Sequence, residues 1–247
     1  MRIAYAPRET NMAPILPNSP LAEVVLEMRF HGDLAYQAAW PSIQQDLRSA
    51  YPHVLVAGSI PGVAPQLQPI QLSSEDQKQR VMMALNMFAV TTTRYSGFDA
   101  FVESVERAEA VFSQRASVAS LTRLGLRYMN QIPNGFGESA SAVLSGRKLH
   151  PCLNLAVGGW NALARLDTEP SQLVYYSGDP STLALRISLT SDPQGMGVTT
   201  LDLDCFRQGL VRRDELRSFL VAAHVFIELT FFELVTPEYL TYLRGGR

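Results

Sequence analysis

"LTRLGLRYMN", residues 121–130, alternates as a half-buried strand does, with Arg123 and Arg127 on one face and Leu124, Leu126 and Tyr128 on the other. Two guanidiniums on one side of a mid-chain strand need partners, because an unpaired buried charge is strongly destabilising. Two other alternating stretches carry carboxylates that can serve. "LAEVVLEMRF" (21–30) sets Ala22, Val24, Leu26, Met28 and Phe30 against Glu23, Val25, Glu27 and Arg29. "LDLDCF" (201–206) sets Asp202 and Asp204 opposite Leu201, Leu203 and Cys205. If the three polar faces meet, Glu27, Arg29, Arg123, Arg127, Asp202 and Asp204 share one sheet surface. They then form either a ladder of ion pairs, which is the expectation, or an arginine-lined site for phosphate or carboxylate, which the planar guanidinium fork suits.

The elements around these strands give the fold class. Residues 33–52 read as a helix capped by Asp33, with Pro41 as a bend or break, and 53–60 as a strand. The proline- and glutamine-rich 61–79 reads as a hairpin or loop, and "RVMMALNMFAVTTT" (80–93) as one long strand. Phe98, Phe101, Val105, Ala108 and Phe112 make the apolar stripe of a helix over 97–114. The order strand, helix, strand, strand, helix, strand over 21–132 is that of a ferredoxin-like βαββαβ unit. After a glycine- and serine-rich loop (133–151) come short stretches at 152–159, 172–177, 183–190 and 198–206, separated by turn chemistry such as "SGDPS". They predict an antiparallel meander, followed by a long C-terminal helix capped by Asp214. The expected class is α+β. Residues 1–20 form an extended arm kept out of helix by Pro7, Pro14, Pro17 and Pro20; 21–247 form a single domain with subregions 21–132 and 152–247.

Composition narrows the functions, without excluding a nucleic acid partner. A formal net charge of −2 announces no basic face for nucleic acid. Two cysteines, Cys152 and Cys205, without a Cys-x-x-Cys pair argue against a zinc site or a disulfide scaffold, and a cytoplasmic home is expected. The first 20 residues lack the continuous apolar run of a signal peptide. "FLVAAHVFIELTFFELV" (219–235) is interrupted by His224, Glu228, Thr230 and Glu233 and is short of a membrane span, so it reads as a buried helix. No membrane association is expected.

Known catalytic signatures are missing: no G-x-S-x-G, Walker A loop, H-E-x-x-H or EF-hand. "GFGESA" (135–140) has the form of a dinucleotide loop, but Leu155 stands where the acidic ribose ligand belongs. No cofactor is expected. His224 and Glu228, four apart on a helix, could ligate a metal or could bond into the sheet; the second is the ordinary use of that spacing, and no metal is expected.

"NSPLAEVVLEMRF" (18–30), "RLGLRYMNQI" (123–132), and "LDLDCF" followed by "HVFIELTFFELVTPEYL" (224–240) resemble a sporadically distributed family of uncharacterised prokaryotic proteins of about 250 residues. That resemblance supplies no catalytic residues. Its patchy distribution implies a protein that works with a neighbouring gene product in a mobile or defence-associated cassette. The leading expectation is therefore a non-enzymatic interaction protein with a protein partner or a homo-oligomeric state, for example a subunit of a toxin–antitoxin-like assembly. The alternatives are a phosphate- or nucleotide-handling enzyme that uses the arginine face, and an RNA-binding ferredoxin-like protein.

Overall fold

Leu21–Arg29 forms β1, in which Val24, Leu26 and Met28 are sealed from solvent and Arg29 is exposed, as the alternation requires. The computed structural model describes residues 16–56, 62, 64, 67–118, 120–133, 171–177, 181–191 and 197–246. After β1 come α1 (Leu34–Leu47), β2 (His53–Val56), β3 (Ile70–Ser73), β4 (Gln79–Ala84), β5 (Met87–Thr92), α2 (Phe98–Arg115) and β6 (Leu121–Pro133). The second half supplies β7 (Ser171–Ser177), β8 (Thr182–Ser191), β9 (Gly197–Val211), α3 (Leu216–Leu234) and α4 (Pro237–Leu243). The chain is α+β: among the described residues nine strands make one antiparallel sheet, ordered β2-β3-β4-β5-β1-β6-β9-β8-β7, and a long helix lies near the C-terminus. Both halves join through β6, whose partners are β1 on one side and β9 on the other.

One face of the sheet carries the helices. Phe112 of α2 packs on Phe88 of β5, with ring centroids 4.6 Å apart, and on Phe30 and Tyr36. Val24, Leu26, Met28, Leu124, Leu126, Leu201 and Leu203 face the same layer and are fully or almost fully buried. Their removal from water is the main term holding the helices to the sheet. Asp33 caps α1 by accepting from the Ala35 and Tyr36 amides, and the helix runs on through Pro41. Thr236 caps α4, whose first residue is Pro237. The N-terminal approach is tied down where it is described: the Asn18 amide donates to the Leu243 carbonyl, and its side chain to Tyr242 O.

Several boundaries differ from the sequence reading. The apolar run 80–93 is a hairpin, β4 and β5, in which Leu85 and Asn86 make the turn. Asn86 is the one strong turn former in that run, and its carbonyl is used by the Phe30 amide. Asp214 does not cap α3. Its carboxylate is held by the Arg212 guanidinium, and α3 enters from a 3-10 turn with no side-chain cap. Residues 61–79 include a regular strand, β3. The strand expected at 152–159 and the "GFGESA" loop lie outside the described residues, as do positions 1–15 of the expected arm. Among the described residues, no helix is long and apolar enough to cross a membrane.

Candidate functional site

The face of the sheet opposite the helices carries the six charged residues singled out above, and the register explains how they meet. Across β1, β6 and β9 the paired rows are Arg29–Arg123–Gln208, then Glu27–Gly125–Phe206, then Val25–Arg127–Asp204, then Glu23–Met129–Asp202. Paired residues point to the same face, so the arginines and carboxylates are diagonal neighbours within side-chain reach. Arg123 leans one row along. Its Nη1 donates to Glu27 Oε1 at 2.7 Å, and its Nη2 to both Asp204 oxygens at 2.8 and 2.6 Å. Arg29 holds the same Glu27 edge-on from its own strand, at 2.7 and 2.9 Å. Arg127 makes a separate two-bond pair with Asp202, 2.6 Å on each arm.

Gly125 makes the Arg123 geometry possible. The guanidinium lies across the glycine, so a Cβ there would fall 2.5 Å from Nη1 and 3.0 Å from Cζ. The same guanidinium sits 4.8 Å from the centroid of the Phe206 ring, a cation–π contact. Arg123 is thus fixed from three sides. Gly125→Ala is expected to destabilise the protein by about 2 kcal/mol, because the guanidinium cannot yield without losing both carboxylates. In an Arg123→Met background the same change should become neutral or slightly stabilising, since alanine orders at lower entropic cost than glycine. Urea titrations of the four proteins measure this; equal costs in both backgrounds would show that Arg123 is not what Gly125 accommodates.

The charge environment splits the carboxylates. Burial alone would raise the Glu27 carboxyl, but hydrogen bonds and charge from Arg29 and Arg123 outweigh it and hold Glu27 below the ordinary glutamate range. Asp204, among the described residues, accepts its hydrogen bonds from Arg123; burial outweighs the charges of Arg123 and Arg127, and its carboxyl stands above the ordinary aspartate range. Nearby polar positions complete the face. Thr91 donates to Glu23 Oε1 at 2.7 Å, and Arg186 of β8 stands opposite Asp202 in the backbone register.

A concave basin of about 550 Å³ lies in this face, lined by Val25, Glu27, Arg29, Thr122, Arg123, Gly125, Arg127, Asp204 and Gln208. Five of the six predicted residues border it; Asp202 does not. Val25 is the apolar side chain of its lining, and the Arg123 guanidinium lies over Gly125.

The chain matches no protein-family model and no curated protein. That agrees with the resemblance to an uncharacterised family and identifies the chain no further. The chemistry of the site is therefore argued from its residues alone. Three guanidiniums interleave with three carboxylates, so a divalent cation approaching Glu27, Asp202 or Asp204 meets a positive charge at hydrogen-bond distance from its would-be ligand. The Cys205 thiol lies on the helix side, buried and pushed up to about 12 by desolvation, which is the opposite of an activated nucleophile.

His224 and Glu228 sit on α3, on the helix side of the sheet and away from the basin. His224 Nδ1 is 2.9 Å from the Tyr128 hydroxyl, which is 3.2 Å from the Tyr95 hydroxyl, and the imidazole stacks on Phe98 at 4.1 Å. Glu228 is half-buried, and desolvation raises its carboxyl. Among the described residues, no three His, Cys, Asp or Glu side chains gather as a metal would need. Sequence reasoning missed Gly125, Phe206 and the Tyr95–Tyr128–His224 chain. A glycine inside a strand pattern was the available signal for the first, since it marks a close approach.

Proposed function

We propose that the chain is a non-enzymatic interaction protein that presents the face of its sheet opposite the described helices to a protein partner. On the family resemblance, we place it in a mobile or defence-associated assembly of toxin–antitoxin type, working in the cytoplasm. We also read β4-β5-β1-β6 with α1 and α2 as the ferredoxin-like unit, carrying β2 and β3 as an added edge.

The observation that carries the reading is the mutual pairing of the charged side chains on that face. Glu27, Asp202 and Asp204 are each held by at least two hydrogen bonds from arginine. A general base or metal ligand needs an available carboxylate, whereas a docking surface gains from side chains fixed before binding. Interleaved carboxylates also repel a polyanion, which weighs against a nucleotide or polyphosphate. For RNA, the one described aromatic on this face of β1, β5, β6 and β9 is Phe206, and Arg123 covers its ring.

The test is isolation of the tagged full chain from its native cells with light scattering on the product. The expected result is a companion protein or a second copy at fixed stoichiometry, lost in Val25→Glu, which alters the centre of the face. Recovery of monomer alone would overturn the proposal.

A further inference from the structure

We infer that the basin receives one carboxylate of the partner, an aspartate or glutamate side chain carried on a peptide segment with apolar neighbours. This inference rests on the interaction reading above and names the chemistry of the partner's contact.

Three features of the basin select this ligand. The first is charge. Arg29, Arg123 and Arg127 are balanced by the three carboxylates they bond, Glu27, Asp204 and Asp202. A single carboxylate adds one negative charge to this balanced cluster, whereas a phosphate dianion would add two beside the carboxylates already there. The second is donor supply. Arg123 commits both terminal nitrogens to carboxylates. Arg29 and Arg127 each commit only the Nε–Nη2 edge, so among the described residues neither Nη1 makes a hydrogen bond. Their side chains are 50% and 42% exposed, so those donors can meet a ligand, yet each guanidinium is already oriented by its own carboxylate. Charge-assisted bonds from such preorganised donors are the stronger kind. Gln208 and Thr122 add polar atoms at the rim.

The third feature is shape. Sites for small molecules enclose most of the ligand surface. This basin is a depression in a sheet surface that opens to solvent, with Val25 as the apolar side chain of its lining. It can seat the tip of a side chain while the flanking residues lie on the sheet around it. That favours a carboxylate presented by a polypeptide over a free small acid.

The experiment titrates the full-length protein with acetyl-Leu-Glu-Leu-amide, acetyl-Leu-Gln-Leu-amide, acetate and inorganic phosphate, following the Gly125 backbone amide resonance. The glutamate peptide should bind about tenfold more tightly than the glutamine peptide, and more tightly than acetate or phosphate. Arg29→Gln and Arg127→Gln, each checked for an unchanged fold by circular dichroism, should each weaken the glutamate peptide by about fivefold or more. Equal binding of the two peptides, tighter binding of phosphate, or no shift at millimolar peptide would overturn the inference. Capture of a native partner with the two glutamine variants separates the layers. A stoichiometric complex that both variants retain sinks the carboxylate contact but leaves the interaction reading standing; no complex with any form of the protein sinks the interaction reading itself.

Discussion

Arg123→Met is expected to lower the unfolding free energy by about 3 kcal/mol, at the low end of what breaking a buried ion pair costs. The substitution keeps the straight stem and removes the guanidinium. The side chains of Arg123, Glu27 and Asp204 are only 17%, 20% and 26% exposed, so solvent cannot take over the lost pairing. Glu27 keeps Arg29, but Asp204 loses the one guanidinium hydrogen-bonded to it among the described residues, while already held above the ordinary aspartate range by burial. Most of the cost therefore falls on Asp204. Asp204→Asn in the Arg123→Met background should recover part of it, because the orphaned charge is then gone. Arg29 gives the contrast. Its side chain is 50% exposed and Glu27 keeps Arg123 when it is removed, so Arg29→Met should cost about 1 kcal/mol, as for a mostly solvated pair. Urea unfolding of the single and double variants decides the matter. If Arg123→Met costs no more than Arg29→Met, the network is a solvated fringe and not part of the scaffold.

How far the sequence could be read follows from which physical signal each feature leaves. Alternation is local, so it assigned Glu27, Arg29, Arg123, Arg127, Asp202 and Asp204 to polar faces before any pairing was known. Register is not local. Nothing in residues 121–130 says that Arg127 lies opposite Asp204 yet bonds to Asp202, while Arg123 reaches past Gly125 to Asp204. That choice is made by the sheet, through contacts separated by 75 and 81 positions in the chain. The hairpin at Leu85–Asn86 was hidden for a different reason. A strand buried on one face and shielded on the other shows no alternation to interrupt, so an apolar run of two strands looks like one. Asp214 failed as a cap because a neighbouring arginine, Arg212, competes for the same carboxylate. His224 was placed on the correct helix, but its partner, Tyr128, comes from a strand 96 residues away.

That partner makes the second large effect one of pH. Stability should fall by about 3 kcal/mol as pH drops from about 6.5 to about 4, through His224 alone. Burial lowers the His224 pKa from 6.5 to about 4, with the Asp99 carboxylate on α2 pulling weakly the other way. The folded state thus prefers the neutral ring, whereas the unfolded chain takes up a proton near 6.5. Between those values the unfolded state binds more protons, so the contribution is whole above about 6.5, lost progressively on acidification, and gone below about 4. The groups around the imidazole fit a neutral ring. Phe98 stacks on it, the Tyr128 hydroxyl can donate to Nδ1, and Tyr95 can donate in turn to Tyr128. Tyr128 and Tyr95 are held as phenols, the second pushed up to about 12, and Glu228 one turn along α3 is raised by its own desolvation. His224→Gln keeps an acceptor for Tyr128 and removes the titration. The difference in unfolding free energy between wild type and this variant should therefore change by about 3 kcal/mol between pH 7 and pH 4, while the other carboxylates cancel. Imidazole nitrogen chemical shifts give the direct measurement. A folded-state His224 that titrates near 6.5 would show that the ring is solvated and that α3 does not depend on its neutrality.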